Sequence, residues 1–247
     1  MTSDGLRVVP KPGHLVLELN DVESRNALTP ALIAQLHAAL DQAEADPGCR
    51  AVVLLSDGPV FSAGAHITEL GEAEFKGLTT GLWHLLTRMS SGPVPTVAVM
   101  QGWASGGGVG LAAACDVVIA SPEVTLQLTE VFFGMLPTII MPWIARRVGE
   151  HRSLRLAMLA DQLTAAESER IGLVDIVSDD PRAAMRKVLL SLRRSDRDTL
   201  ADLKQAHQAL FPADNQYGLM AERVFGARLN DPKVSQRIKA LVTEGLL

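Results

Sequence analysis

Apolar residues follow two spacings along this chain, and the change from one to the other marks out its elements. His14-Leu-Val-Leu-Glu-Leu19 and Ala51-Val-Val-Leu-Leu55 are short apolar runs that read as strands. Between them Leu32, Ile33, Leu36, Ala39, Leu40 and Ala43 recur at helical spacing. Thr29-Pro30 supplies the N-cap and first-turn proline of that helix. Strand, helix, strand in this order predicts a right-handed parallel crossover. The unit repeats: a helix over about 78–90, a strand Thr96-Val-Ala-Val-Met100, an Ala-rich helix at Leu111-Ala-Ala-Ala-Cys115, then a strand Asp116-Val-Val-Ile-Ala120. The first two thirds of the chain are therefore predicted to be α/β around a largely parallel sheet.

The last third changes character. Thr164-Ala-Ala-Glu167 is a capping box opening a helix that stops near Gly172, and Leu173-Val-Asp-Ile-Val177 reads as a short strand. Helices follow over about 181–193, 196–210, 216–229 and 232–244, the last begun by Asp231-Pro232. This predicts an α/β core over 1–190 and a helical subdomain over 191–247. The tail is expected to pack across a neighbouring subunit or to form oligomer contacts.

Composition narrows the partners. The net charge of −5, with no basic run longer than Arg193-Arg194, argues against nucleic acid. No apolar run approaches the roughly 20 residues that span a bilayer, so no membrane partner is expected. Cys49 and Cys115 have no metal-ligand spacing and make no disulfide framework. They read as small buried residues in a reducing compartment. With a polar N-terminus lacking signal-peptide character, the expectation is a cytoplasmic protein without a metal site.

Two glycine-containing turns carry the candidate chemistry. Phe61-Ser-Ala-Gly-Ala-His66 comes about five residues past the strand 51–55, and Gln101-Gly-Trp-Ala-Ser-Gly-Gly-Gly-Val-Gly-Leu111 follows the strand 96–100. Ligands of an open parallel sheet bind in the crevice at the carboxyl ends of its strands. A glycine run entering a helix aims free backbone N–H groups at negative charge, and two such loops can serve one carbonyl oxygen as an oxyanion hole.

These motifs resemble the crotonase (enoyl-CoA hydratase/isomerase) superfamily over nearly the whole chain. The matching segments are Arg25-Asn-Ala-Leu28, Phe61 to Ala65, Gln101 to Gly108, Asp116-Val-Val-Ile-Ala-Ser121, Leu126 to Pro137 and Leu163 to Val174. The resemblance implies a ββα superhelix with a parallel-sheet core, and backbone N–H groups of Ala65 and Gly107 polarising a thioester carbonyl. It implies Glu130 as the catalytic acid, and Arg25 and Ala63 on the substrate side. No cofactor is implied beyond the CoA or phosphopantetheine that carries the acyl group. The partners implied are acyl-CoA or an acyl carrier protein and further copies of the chain, in a trimer or hexamer.

Three departures redirect the reaction. The family's hydratases place a glutamate three residues after the middle glycine of the second loop, and here that residue is Gly110. One carboxylate can shuttle a proton between two carbons, which favours double-bond isomerisation over hydration. His66 stands where relatives commonly have aspartate, and reads either as a substitute acid or as a turn residue. Thr138-Ile-Ile-Met-Pro142 replaces a glycine-rich segment, predicting an apolar pocket wall with Trp103, Phe132, Phe133 and Met135 as liners. Segment 229–238 is similar to the ends of polyketide-pathway members. Ile67 and Phe225 occupy the places of the lysine and histidine of their decarboxylating branch, which disfavours decarboxylation. An enoyl-thioester isomerase is the first expectation. A hydratase or dehydratase assisted by His66 is the second, and a silent binding protein of the same fold the third.

Overall fold

The computed structural model describes residues 5–56, 58–65, 72–210, 212 and 214–244. Two sheets organise the chain. The larger contains β1 (Leu6–Lys11), β2 (His14–Leu19), β3 (Val52–Ser56), β5 (Thr96–Met100), β7 (Val117–Ala120) and β10 (Ile176–Val177), in the order β1-β2-β3-β5-β7-β10. Only the β1–β2 hairpin is antiparallel. The smaller sheet holds β4 (Val60–Ser62), β6 (Trp103–Ser105), β8 (Thr125–Gln127) and β9 (Leu163–Thr164), with β4, β6 and β8 mutually parallel. The chain thus runs large-sheet strand, small-sheet strand, helix, and repeats: β3-β4-α2 (Glu72–Ser91), then β5-β6-α3 (Gly107–Ala113).

Burial explains the runs read from the sequence. β3 and β5 are buried at every position, as a parallel strand covered on both faces must be. Leu15, Leu17, Val52 and Leu54 face the large core shared with α1 (Pro30–Ala45) and α2. Val16, Val53, Leu55, Val97, Val99 and Ile119 face the other way, onto Ala184, Met185 and Leu189 of α7 (Pro181–Leu192). The expected caps form: Thr29 Oγ1 accepts the Leu32 N–H, and Thr164 and Glu167 make both bonds of the capping box.

The structure corrects the sequence reading in several places. Only Ile176–Val177 of the expected strand 173–177 is a strand, because Leu173 and Val174 turn inward to the core while Asp175 caps β7 by accepting the Val118 N–H. β1 was not anticipated, nor were the short strands of the second sheet, nor α4 (Met141–Val148) and α5 (Glu150–Leu159). α6 (Ala165–Arg170) ends before Gly172, as expected.

The tail, α8 (Arg197–Leu210), α9 (Asn215–Leu229) and α10 (Pro232–Thr243), packs on its own chain. Lys204 of α8 reaches the Asp116 carboxylate and donates to the Met89 carbonyl. Tyr217 of α9 stacks on Trp83 with ring centroids 6.0 Å apart and donates to the Thr138 carbonyl at 3.0 Å. Val234 of α10 is buried beside Gly134. Among the described residues no helix is long and apolar enough to cross a membrane.

Candidate active site

Strand direction in the small sheet brings the site together. β4, β6 and β8 are neighbours and run parallel, so their carboxyl ends lie side by side. Ala63-Gly64-Ala65 leaves β4, Gly106-Gly107 leaves β6, and Leu128-Thr129-Glu130 leaves β8. The two glycine-containing loops therefore do not leave the long apolar strands directly, as the sequence suggested. They leave the short strands that follow them.

The first loop is stapled from below. Arg25 and Asn26 adopt left-handed conformations (φ 55° and 54°). This turns the buried Asn26 side chain to donate to the Val60 carbonyl at 2.9 Å, while the Arg25 carbonyl accepts the Ala63 N–H at 3.0 Å. Ser62 Oγ donates to the Asn26 carbonyl and accepts the Gly64 N–H. Leu28 N–H bonds the Gly64 carbonyl and Leu28 bridges Ala65 in parallel register. In that register the N–H of Ala65 itself points away from Leu28.

The second loop abuts the first. A Cβ on Gly64 (φ 79°) would stand 2.8 Å from the Ser105 carbonyl oxygen and 3.1 Å from the Gly107 nitrogen. Gly107 is the first residue of α3, so its N–H is one of those that a helix leaves without an internal partner. From Ala104 to Cys115 it is also the one residue that is not buried. Replacing Gly64 by alanine is expected to wedge the loops apart and lower kcat about a hundredfold, the cost of losing one donor of the oxyanion hole that the sequence resemblance implies. Steady-state kinetics with an enoyl thioester checks this, and an unchanged kcat would show that the loop contact is dispensable.

Glu130 opens a 3-10 turn, Glu130–Phe133, closed by Gly134 in a left-handed conformation. Its carboxylate lies over Gly106, where a Cβ would come within 2.8 Å of Oε1. The residue as a whole is part-exposed, yet Oε2 is enclosed and finds no hydrogen-bond partner among the described residues. Burial disfavours the charged form and pushes the carboxyl up to about 7, against the smaller opposing effect of a hydrogen bond from its own backbone N–H. Ser105 and Thr129, the residues just before Gly106 and Glu130, join their hydroxyls at 2.8 Å and tie the acid's turn to the second loop. Sequence reasoning missed that pair; its only signal is a hydroxyl directly preceding each motif.

The remaining candidates separate. Arg25 is exposed and meets the site through its backbone, and Ala63 is part-exposed beside it. Phe133 is part-buried against the core, Phe132 is exposed, and Met135 is fully enclosed in the core. Trp103 opens β6, at the end of that strand remote from Gly106. His66 lies outside the described residues, as does Ile67. No group of three or more histidine, cysteine, aspartate or glutamate residues suited to a metal occurs among the described residues.

Residues 11–238 match the family model described as enoyl-CoA hydratase/isomerase. The chain belongs to the enoyl-CoA hydratase/isomerase family. A Thermus thermophilus protein provisionally named enoyl-CoA hydratase is 40% identical over 178 residues, covering 69% of this chain and 70% of that protein. The bacillaene synthase dehydratase PksH of Bacillus subtilis is 28% identical over 193 residues, covering 76% and 74%. Among solved structures, an enoyl-CoA hydratase from Mycobacterium avium superposes with a TM-score of 0.89 at 26% identity, over 98% of this chain and 97% of that one. The sequence resemblance is thereby established for family and fold. The large parallel sheet, the small sheet and the helical C-terminal region are the crotonase architecture in this family member.

Proposed function

We propose that this family member forms an enolate from an acyl thioester and uses Glu130 alone to move one proton, shifting an enoyl double bond from position 3 to position 2. The observation that carries the proposal is the Glu130 carboxylate lying over Gly106 with its Oε2 enclosed and without a partner among the described residues, one residue from the accessible Gly107. The ionised carboxylate removes a proton from C2. Electron density moves onto the carbonyl oxygen, where the Ala65 and Gly107 N–H groups stabilise it. The protonated Glu130 then returns the proton to C4, and water is neither consumed nor released. The acyl group is carried on CoA or on the phosphopantetheine of a carrier protein, and the protein needs no other cofactor.

Because Glu130 must start ionised and its carboxyl titrates near 7, kcat/KM is expected to rise with pH, reach half its maximum near pH 7 and level off above. A flat profile between about pH 5 and 8 would remove Glu130 as the base. Incubation of 3-enoyl thioesters in deuterated water separates the reactions. Isomerisation gives a 2-enoyl product, and accumulation of a hydroxyacyl product sinks the isomerase reading.

The likeness to the PksH dehydratase favours a second reading, elimination of water from a 3-hydroxyacyl thioester. It begins with the same removal of a C2 proton by Glu130, here giving the enolate of the 3-hydroxyacyl thioester, and that proton then goes to the hydroxyl departing from C3. His66 belongs to this reading as an assisting acid.

A further inference from the structure

We propose that Ile140 is a specificity-determining residue that keeps this site from adding water, an inference that rests on the enolate reading above. Gly107 and Gly110 are three residues apart on α3, and residues so spaced share a helix face. Any side chain at position 110 would therefore project beside the second oxyanion donor. That volume is already taken. A Cβ at Gly110 would stand 2.2 Å from Ile140 Cγ2 and 2.6 Å from Ile140 Cβ. The second distance matters more. The Cβ of a residue cannot rotate away, so relief requires the Ile140 backbone to move.

That backbone is held. Ile140 is 2% exposed, it donates its N–H to the Pro137 carbonyl, and its own carbonyl accepts the Ile144 N–H at the start of α4. Two residues earlier, the Thr138 carbonyl accepts from Tyr217 and Thr138 Oγ1 donates to the Ala221 carbonyl. The segment is pinned between α4 and α9. Glycine at 110 and isoleucine at 140 thus form one packed unit, and the unit fills with hydrocarbon the space that a side chain at 110 would take. A water molecule ordered for attack needs two to four polar partners. An isoleucine provides none on this side, and Glu130 is left as the single proton carrier.

Two experiments test this, one on packing and one on product. Gly110→Ala is expected to lower Tm by roughly 3–10 °C in the parent protein, the range for overpacking a filled core. In an Ile140→Gly background the same change is expected to cost nothing or to raise Tm. An unchanged Tm in the parent, or an equal loss in both backgrounds, overturns the assignment. For product, Gly110→Glu/Ile140→Gly is incubated with 2-enoyl-CoA in 18O-labelled water. Labelled 3-hydroxyacyl-CoA is expected to form at least about tenfold faster than with the parent, the difference worth about 1.4 kcal/mol of barrier. A double variant that folds and still isomerises, yet forms no more hydroxyacyl product than the parent, overturns it. A parent that itself hydrates 2-enoyl-CoA sinks the isomerase reading, while the Tm cycle still reports whether Ile140 fills the space.

Discussion

Replacing Glu130 by glutamine is expected to cut turnover about a thousandfold and, at pH 8, to make the protein harder to unfold. The first effect follows from removing the only proton carrier in the proposed reaction, since a positioned acid–base group contributes a factor of about 10² to 10⁴. The second follows from burial. The Glu130 carboxyl has its pKa raised from 4.5 to about 7 in the folded protein. Between those values the folded state binds more protons than the unfolded one, so stability falls as pH rises. The favourable state is fully present below about pH 4.5 and is lost as pH passes through 7. Above that, the wild-type protein carries a burial penalty on the order of 3–4 kcal/mol, at about 1.4 kcal/mol per pKa unit. Glutamine does not titrate, so the variant escapes it. Urea unfolding of both proteins at pH 4.5 and pH 8 should show curves that match at low pH and separate at high pH, the variant being more stable. Equal stability at both pH values would mean that the carboxylate is solvated rather than enclosed.

Removal of the Asp116 carboxylate is expected to destabilise the fold by about 3–5 kcal/mol, the usual cost of stranding a buried charge. Lys204 reaches this carboxylate from α8 with 9% of its side chain exposed. Asp116 Oδ2 also accepts from the Thr96 N–H at 2.7 Å and from Thr96 Oγ1 at 3.1 Å. In Asp116→Ala the ammonium is left with the Met89 and Val94 carbonyls, and the Thr96 N–H loses an acceptor. Lys204→Met leaves Asp116, which is 30% exposed, with its Thr96 donors and with water. It should therefore cost less, about 1–2 kcal/mol. Denaturant midpoints of the two variants check the order. If Lys204→Met proves the more damaging, the stem of the lysine rather than its charge is what fastens α8.

The inner strands of the main sheet were legible because they are long enough to show a pattern. Val52-Val-Leu-Leu55 and Val97-Ala-Val-Met100 are continuous apolar runs, and Leu32 to Ala43 is an unambiguous helical stripe. The small sheet was not. β4, β6 and β8 have three residues each and β9 has two, too few for a period-two alternation to rise above chance. β1 was hidden by Pro10 and by its exposed edge position, which removes any apolar face. At the site the loops were identifiable from their glycines. That Ala65, Gly107 and Glu130 issue from one end of three adjacent strands was not, since strand neighbours are a tertiary fact. The absence of a glutamate at Gly110 was plain in the sequence. What stands in its place comes from 30 positions downstream and could be seen only in the structure.

The tail fastens the turn that carries Glu130, and it is the last part of the chain to be made. Arg228 Nε of α9 donates to the carbonyl of Gly134, the residue that closes the turn of Glu130, across 94 positions of chain. Tyr217 and Ala221 hold Thr138 across 79 and 83 positions. At a ribosomal rate of roughly 5–20 residues per second, these clamps emerge several seconds after the turn they secure. The nascent chain can thus assemble both sheets before the contacts that hold the Glu130 turn and the Thr138 segment exist. The placement of the Glu130 turn is thus among the last features of the fold to be fastened.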